Sequence, residues 1–218
     1  MTKKKPIALE EQSQEHDARL RSPSVERNKE PILDVLRPHL LPGMQILEIA
    51  SGTGEHGAHI ASNIKGLIWQ PSDLSPEARV SITAWADHLQ GPDFKPPIEV
   101  DASAQTWPLQ QPGSLDGLVC INMIHISPFD AAKGVISGAA KYLKPGGFLF
   151  FYGPFKREGQ HTAPSNQAFD VNLKSRDSEW GIRDLEEIQS LVEAAGFALV
   201  GVTDMPANNL SVLFRKAL

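Results

Sequence analysis

The chain has 218 residues, a formal net charge of −5 and 22% charged side chains, a size that suits one domain with a sizeable core. No basic stripe disturbs that balance, so a polyanionic nucleic-acid backbone has little electrostatic support as a partner, although a small RNA or a protein substrate stays open. The single cysteine, Cys120, lies in an apolar run; it cannot close an internal disulfide and reads as a buried thiol in a reducing cytoplasm.

Residues 1–22 are polar, rich in Glu, Gln, Lys and Arg, and are expected to form a flexible tail ahead of a single domain at 23–218. Three lysines in Met1–Lys5 precede no apolar segment, so no secretory signal is expected. No apolar run is long enough to span a bilayer as a helix, and no membrane partner is expected. Glu30 to Leu36 reads as a helix with apolar positions at 32, 33, 35 and 36, ended by Pro38 and the Leu41-Pro42-Gly43 turn. A strand follows at about 45–50, a helix at 55–64 and a second strand at 67–70. Ser75 and Pro76 have the chemistry of an N-cap and a first helical residue, opening a helix to Leu89.

A short third strand is expected at 98–100 and a fourth at 115–121. Ser127-Pro128-Phe129-Asp130 signals another capped helix, running to about Leu143 and closed by Lys144-Pro145-Gly146-Gly147 before a fifth strand at 148–152. Residues 153–181 break this rhythm. That polar stretch shows little periodicity and reads as a long functional insertion anchored by Phe155, Phe169 and Trp180. Asp184-Leu185-Glu186-Glu187 predicts a capped helix to Ala195. Strands at 197–203 and 210–214 are most simply an antiparallel hairpin. The strands are apolar without alternation, as when helices cover both faces of a parallel sheet, and the βαβ rhythm gives an α/β, doubly wound fold.

The chemistry concentrates in Gln45 to His56, where a buried strand enters a turn at Gly52 and Gly54 and then a helix near Glu55. Glycine lets a ligand approach the main chain, and the free N–H groups of the helix face the same space. That combination makes a nucleotide-like site. Asp73 follows Gly54 by 19 residues, the place of an acid that accepts hydrogen bonds from a ribose diol; equally, an aspartate there shapes the turn. Gly57 completes a G-x-G-x-x-G, which also permits a nicotinamide-binding oxidoreductase. Glu48, just before the turn, can reach a cationic amino group, and Asp101-Ala102 offers an acid for the exocyclic amine of adenine.

Glu48-Ile49-Ala50-Ser51-Gly52-Thr53-Gly54, Asp73-Leu74-Ser75 and Leu143-Lys144-Pro145-Gly146-Gly147 together resemble class I S-adenosylmethionine-dependent methyltransferases over roughly residues 31–216. A narrower likeness lies in Ser24-Val25-Glu26-Arg27-Asn28-Lys29, Trp69-Gln70-Pro71-Ser72-Asp73, Asn122-Met123-Ile124-His125-Ile126-Ser127 and Trp180-Gly181-Ile182-Arg183-Asp184. These tracts resemble the methyltransferase-like protein 26 group, also called domain of unknown function 938, a branch typed by fold and cofactor motif that lends no substrate. The resemblance implies a Rossmann-like, mostly parallel sheet of strand order 3-2-1-4-5-7-6 with strand 7 antiparallel. It also implies a cofactor site for S-adenosylmethionine and its product S-adenosylhomocysteine. Ala50, Ser51, Gly52, Gly54 and Glu48 would hold the methionine part, Asp73 the ribose, and Asp101 with Ala102 the adenine. Asn122 and Met123 would line the sulfonium side, and Arg27 with Asn28 would fold over the cofactor. Ala50 stands where many members carry an acid or glycine, and Ser51 and Thr53 replace a plainer glycine turn.

Methyl transfer is an in-line displacement, so the protein positions a nucleophile and removes a proton where one must leave. His125, at the ligand-binding edge of the sheet, is the candidate base, or else it caps backbone. Tyr152 places a substrate oxygen or is a satisfied core aromatic. Ser165, Asn166 and Asp170 in the insertion, with Arg183 after it, are candidate pocket residues, against surface, turn and capping roles. His56 and His59 stand at helical spacing without a third ligand, so no metal is expected. The expected function is methyl transfer to a small molecule. A non-catalytic adenosyl-binding partner or regulatory protein and a nicotinamide oxidoreductase are the alternatives.

Overall fold

The computed structural model describes residues 17–109 and 111–218. In chain order its elements are α1 (Pro23–Leu36), β1 (Gln45–Ile49), α2 (Glu55–Asn63), β2 (Ile68–Pro71), α3 (Pro76–Leu89), β3 (Leu115–Ile121) and α4 (Phe129–Tyr142). There follow β4 (Leu143–Gly153), β5 (Phe155–Arg157), β6 (Gln160–His161), α5 (Pro164–Arg176) and β7 (Arg183–Asp184). The chain closes with α6 (Leu185–Ala194), β8 (Phe197–Met205) and β9 (Asn209–Lys216).

Six strands form one sheet in the order β2-β1-β3-β4-β9-β8. β2, β1, β3 and β4 run parallel, while β9 is antiparallel to both β4 and β8. Successive residues of each strand face opposite layers. Leu47, Ile49, Leu118, Cys120, Leu149 and Phe151 pack in the core under α4 and α6. Ile46, Val119, Ile121, Phe148 and Phe150 belong to the core under α1, α2 and α3. Both faces are therefore apolar, which is why the strands show no alternation.

Four local expectations change. The segment expected as a third strand, 98–100, forms no continuous strand; isolated bridges join Ser72 to Ile98 and, just before it, Trp69 to Phe94. Pro97 lacks the amide that would follow Lys95 N in a continuous ladder, and Ile98 N donates to the Pro71 carbonyl instead, at 3.1 Å. Helix α1 begins at Pro23 rather than Glu30, because the Ser22 side chain accepts from Ser24 N and Pro23 fills the first helical position. Ser127 does not cap α4; its hydroxyl donates to the Met123 carbonyl at 3.1 Å. The polar stretch after β4, expected as a long loop, carries regular elements, a small sheet of order β6-β5-β7 and the thirteen-residue α5. The buried residues of α5 are Asn166, Asp170 and Leu173, so its inner face carries little apolar signal.

Part of the expected N-terminal tail packs across α3. Leu20 N donates to Ser81 Oγ at 2.8 Å, Trp85 Nε1 donates to the Leu20 carbonyl at 3.4 Å, and Arg19 and Arg21 each lie 5.0 Å from the Trp85 ring centre. Residues 1–16 of that tail lie outside the described residues.

Candidate functional site

The carboxyl ends of β1, β2 and β3 converge where a doubly wound sheet binds its ligands. Ala50 and Asn122, immediately beyond β1 and β3, both adopt left-handed backbone, with φ of 55° and 57°. Such a conformation costs a non-glycine residue on the order of 1 kcal/mol. A serine pair fastens the β1 exit to β2. Ser51 N donates to the Ser72 carbonyl at 2.8 Å, Ser72 N to Ser51 Oγ at 3.1 Å, and Ser72 Oγ to the Glu48 carbonyl at 2.6 Å. The turn closes through Gly54 N on the Ser51 carbonyl at 2.9 Å. At Gly52 a Cβ would meet nothing within 4 Å, leaving its backbone open to a ligand.

Asp73 and Asp101 face a cleft of about 640 Å³ that Ala50, Leu74, Ala102 and Met123 help to line. Asp73 Oδ2 accepts from Gly52 N and Oδ1 from Ser75 N, each at 2.9 Å, so one carboxylate shapes the turn and faces the cleft. Asp101 Oδ1 accepts from the Ser103 amide at 2.9 Å and its hydroxyl at 2.6 Å. A carboxylate has about four acceptor sites, and both aspartates retain capacity for a diol or an exocyclic amine. The apolar walls at Ile49, Val100 and Ala131 suit a flat base. This donor and acceptor set fits an adenosine-like group.

Glu48 lines neither this cleft nor the cavity beyond it. Its side chain is 1% exposed, and Oε2 accepts from Trp69 Nε1 at 3.0 Å. Burial pushes its carboxyl up to about 7, against the hydrogen bonds from Trp69 and Ser51 that favour the charged form, with the charge of Asp73 adding to the rise. Gly57 makes room for this pair. A Cβ there would stand 2.3 Å from Trp69 Nε1 and 2.7 Å from Glu48 Oε2.

Across Asn122 and Met123 lies a second cavity, of about 700 Å³, lined by Arg27, Asn28, Asn122, His125, Tyr152 and Asn166 among others. Met123 faces the first cavity and Asn122 the second. His125 is 4% exposed, and its Nδ1 has no hydrogen-bond partner among the described residues. Burial, assisted by the charge of Arg183, pushes the imidazole down to about 4, so it is neutral near pH 7. Phe169 packs edge-on against it at 5.7 Å. Tyr152 Oη accepts from Asn209 Nδ2 at 3.1 Å. Burial raises the phenol above its ordinary range, while hydrogen bonding with Asn28 and Asn209 and the charge of Arg27 oppose that rise.

Asn28 Oδ1 also pairs with His56 Nε2 at 2.8 Å, which ties α1 to the start of α2. His59 Nε2 lies 3.2 Å from Glu30 Oε1. Among the described residues, no group of three or more His, Cys, Asp or Glu is placed to hold a metal.

The anticipated residues thus separate into two groups. Ala50, Asp73, Asp101, Ala102 and Met123 share the first cavity. Arg27, Asn28, Asn122, His125, Tyr152, Ser165 and Asn166 share the second, which places Arg27 and Asn28 with the candidate catalytic residues. Ser51, Gly52 and Gly54 form the turn beside the first cavity. Asp170 and Arg183 line neither. Asp170 accepts from Lys174 Nζ and Ile182 N, both at 2.7 Å, beside Lys156 and His161. Arg183 donates to the carbonyls of Ile124 at 2.9 Å, Ser127 at 2.6 Å and Glu179 at 2.9 Å, while Gly181 N donates to the His125 carbonyl at 3.0 Å. Arg183 therefore braces the loop that carries His125, and Asp170 fixes the adjoining segment at Ile182. Asn208 and Asn209 also line the second cavity; in the sequence they read only as turn residues between two strands.

A family model described as "Protein of unknown function (DUF938)" matches residues 19–216. A ubiquinone biosynthesis O-methyltransferase of Albidiferax ferrireducens is 32% identical over 119 residues, covering 52% of this chain and 43% of that protein. The chain therefore spans less than half the length of that relative. An O-methyltransferase family protein from Burkholderia thailandensis superposes with a TM-score of 0.73 at 18% identity, covering 89% of this chain and 57% of the other. Human N-acetylserotonin methyltransferase, solved in complex with SAM, gives a TM-score of 0.72 at 17% identity, covering 89% and 53%. At such identities these two structures establish a shared Rossmann-like fold.

Proposed function

The chain belongs to the DUF938 family, and from that premise we propose that it is an S-adenosylmethionine-dependent methyltransferase acting on a small molecule. The observation that carries this reading is the pair of cavities meeting at Asn122 and Met123, one holding two carboxylates and the other a buried neutral histidine. The likeness to O-methyltransferases in sequence and in fold supports it. The tracts around Arg27, Asn122 and Trp180 further favour the methyltransferase-like protein 26 group, and the lone buried Cys120 favours a reducing cytoplasm.

When bound, the cofactor supplies an electrophilic methyl group. Asp73 accepts from the ribose hydroxyls and keeps the glycine turn in place through Gly52 N. Asp101 and Ala102 meet the base, and the backbone from Ala50 to Gly54 faces the methionine part. Glu48, held behind the turn by Trp69, supports its floor. On the acceptor side, the His125 imidazole receives the proton of the nucleophile, and Tyr152 Oη orients it. A cavity of about 700 Å³ suits a small-molecule acceptor.

The direct test is isothermal titration with S-adenosylmethionine, S-adenosylhomocysteine and NADH, in the wild type and in Asp73→Ala. Binding of both adenosyl ligands, lost in the variant and absent for NADH, is the expected result. Preference for NADH, or no adenosyl binding, would overturn the proposal.

A further inference from the structure

We infer that the second cavity selects an anionic acceptor, a small carboxylate or phosphate, whose negative charge is bound by Arg27. The inference rests on the methyltransferase reading of the site. The chain as a whole is acidic, yet among the described residues Arg27 is the one charged side chain lining this cavity and no carboxylate lines it. Nearby cations are engaged elsewhere, Lys29 with Glu26 and Glu55 and Arg21 with Glu55, whereas Arg27 has no ion pair among the described residues.

Two of the neutral amide donors of the cavity are committed within the protein. Asn166 Nδ2 donates to Thr162 Oγ1 and the Asn208 carbonyl, and Asn209 Nδ2 to Tyr152 Oη and the Pro206 carbonyl. The Arg27 guanidinium is therefore the strongest uncommitted donor facing the space, and its planar fork matches a carboxylate or phosphate. Electrostatics agree with that placement. The charge acting on Tyr152 is that of Arg27, and the charge acting on His125 is that of Arg183. An ammonium acceptor would meet this positive field with no acid to offset it. Ile126 and Phe169, 42% and 39% exposed, provide an apolar rim for the body of the molecule.

The test is isothermal titration of the full chain with benzoate, phenyl phosphate, benzamide and benzylamine, each at saturating S-adenosylhomocysteine. It is repeated in Arg27→Gln and Arg27→Lys, both exposed surface changes. Benzoate or phenyl phosphate should bind, with benzamide and benzylamine about tenfold weaker or worse. The Gln variant should lose that preference, the Lys variant should keep part of it, and S-adenosylhomocysteine affinity should not change. Benzoate favoured over phenyl phosphate assigns a carboxylate, and the reverse order a phosphate. Equal binding of benzamide, or no binding of either anion at millimolar concentration, overturns the inference. So does a loss of S-adenosylhomocysteine affinity in Arg27→Gln with the anion preference intact, which would give Arg27 to the cofactor's own carboxylate. Failure of the methyltransferase reading is separately visible as no S-adenosylhomocysteine binding by the wild type.

Discussion

Replacing Glu48 by glutamine should stabilise the protein at alkaline pH and leave it almost unchanged in acid. The carboxyl is buried and holds its proton up to about 7, compared with an ordinary value of 4.5. Between those values the folded state binds more protons than the unfolded chain. Stability therefore falls as pH rises from about 4.5 through about 7 and stays reduced above it. At about 1.4 kcal/mol per pH unit, that displacement amounts to about 3 kcal/mol. Glutamine keeps the shape and offers a carbonyl oxygen to Trp69 Nε1, so the neutral side chain retains the packing beneath α2. His56 and His125, both held down at about 4 by burial, act in the opposite sense: their contribution is present above 6.5 and is lost as pH falls towards 4. Comparing variant with wild type at each pH cancels them. Urea unfolding followed by tryptophan fluorescence, at about pH 5 and about pH 8, measures the difference. A gain below about 1 kcal/mol near pH 5 and a variant more stable by about 3 kcal/mol near pH 8 are expected. A gain of the same size at both values, or a loss near pH 8, would refute the buried, proton-holding carboxyl.

Gly57→Ala should destabilise by about 3 kcal/mol, because its Cβ would enter the space of Trp69 Nε1 and Glu48 Oε2. Gly52→Ala, whose Cβ meets nothing but whose φ is +57°, should cost only about 1 kcal/mol, and differential scanning calorimetry separates the two. His125→Gln should flatten the acid limb of the stability profile by up to about 3 kcal/mol between pH 6.5 and 4, since the neutral amide removes a group whose protonation the fold resists. Chemical unfolding across that window checks it, and an unchanged limb would mean that His125 reaches water when it protonates. Arg183→Lys keeps the charge but cannot span the carbonyls of Ile124, Ser127 and Glu179. A loss of about 2 kcal/mol is expected after allowing for the partly exposed position. Hydrogen exchange should report faster exchange across 123–127.

The elements legible in the sequence are those whose local chemistry and tertiary role agree. Ser75 caps α3 by accepting from Ala78 N, and Asp184 caps α6 by accepting from Glu186 N and Glu187 N, so capping chemistry alone located both helix starts. Where the two levels disagree, the pattern fails. Helix α1 carries a capping serine and a proline, yet between 23 and 29 its buried residues are Val25 and the polar Asn28. Apolar periodicity therefore begins too late. The same holds for α5, whose inner face joins the charge contacts of Asp170 to the single buried apolar residue Leu173.

The spacing of Asp73 behind the glycines survives in the structure because only helix α2, one turn and strand β2 separate them, a relation within one supersecondary unit. Which cavity Arg27 and Asn28 face is not local. It depends on how α1 crosses α2, a crossing fastened by Asn28 and His56, residues 28 positions apart. Asn209 reaches Tyr152 only because β9 pairs antiparallel with β4. Ala50 and Asn122 carry the argument furthest. Neither has the freedom of glycine, and both hold left-handed backbone at the ends of adjacent parallel strands. No periodicity signals such a conformation. It persists because the serine pair fixes one exit and Asn122 N donates to the Tyr152 carbonyl at 2.8 Å at the other. Local preference yields to the surrounding structure at the point where the two cavities meet.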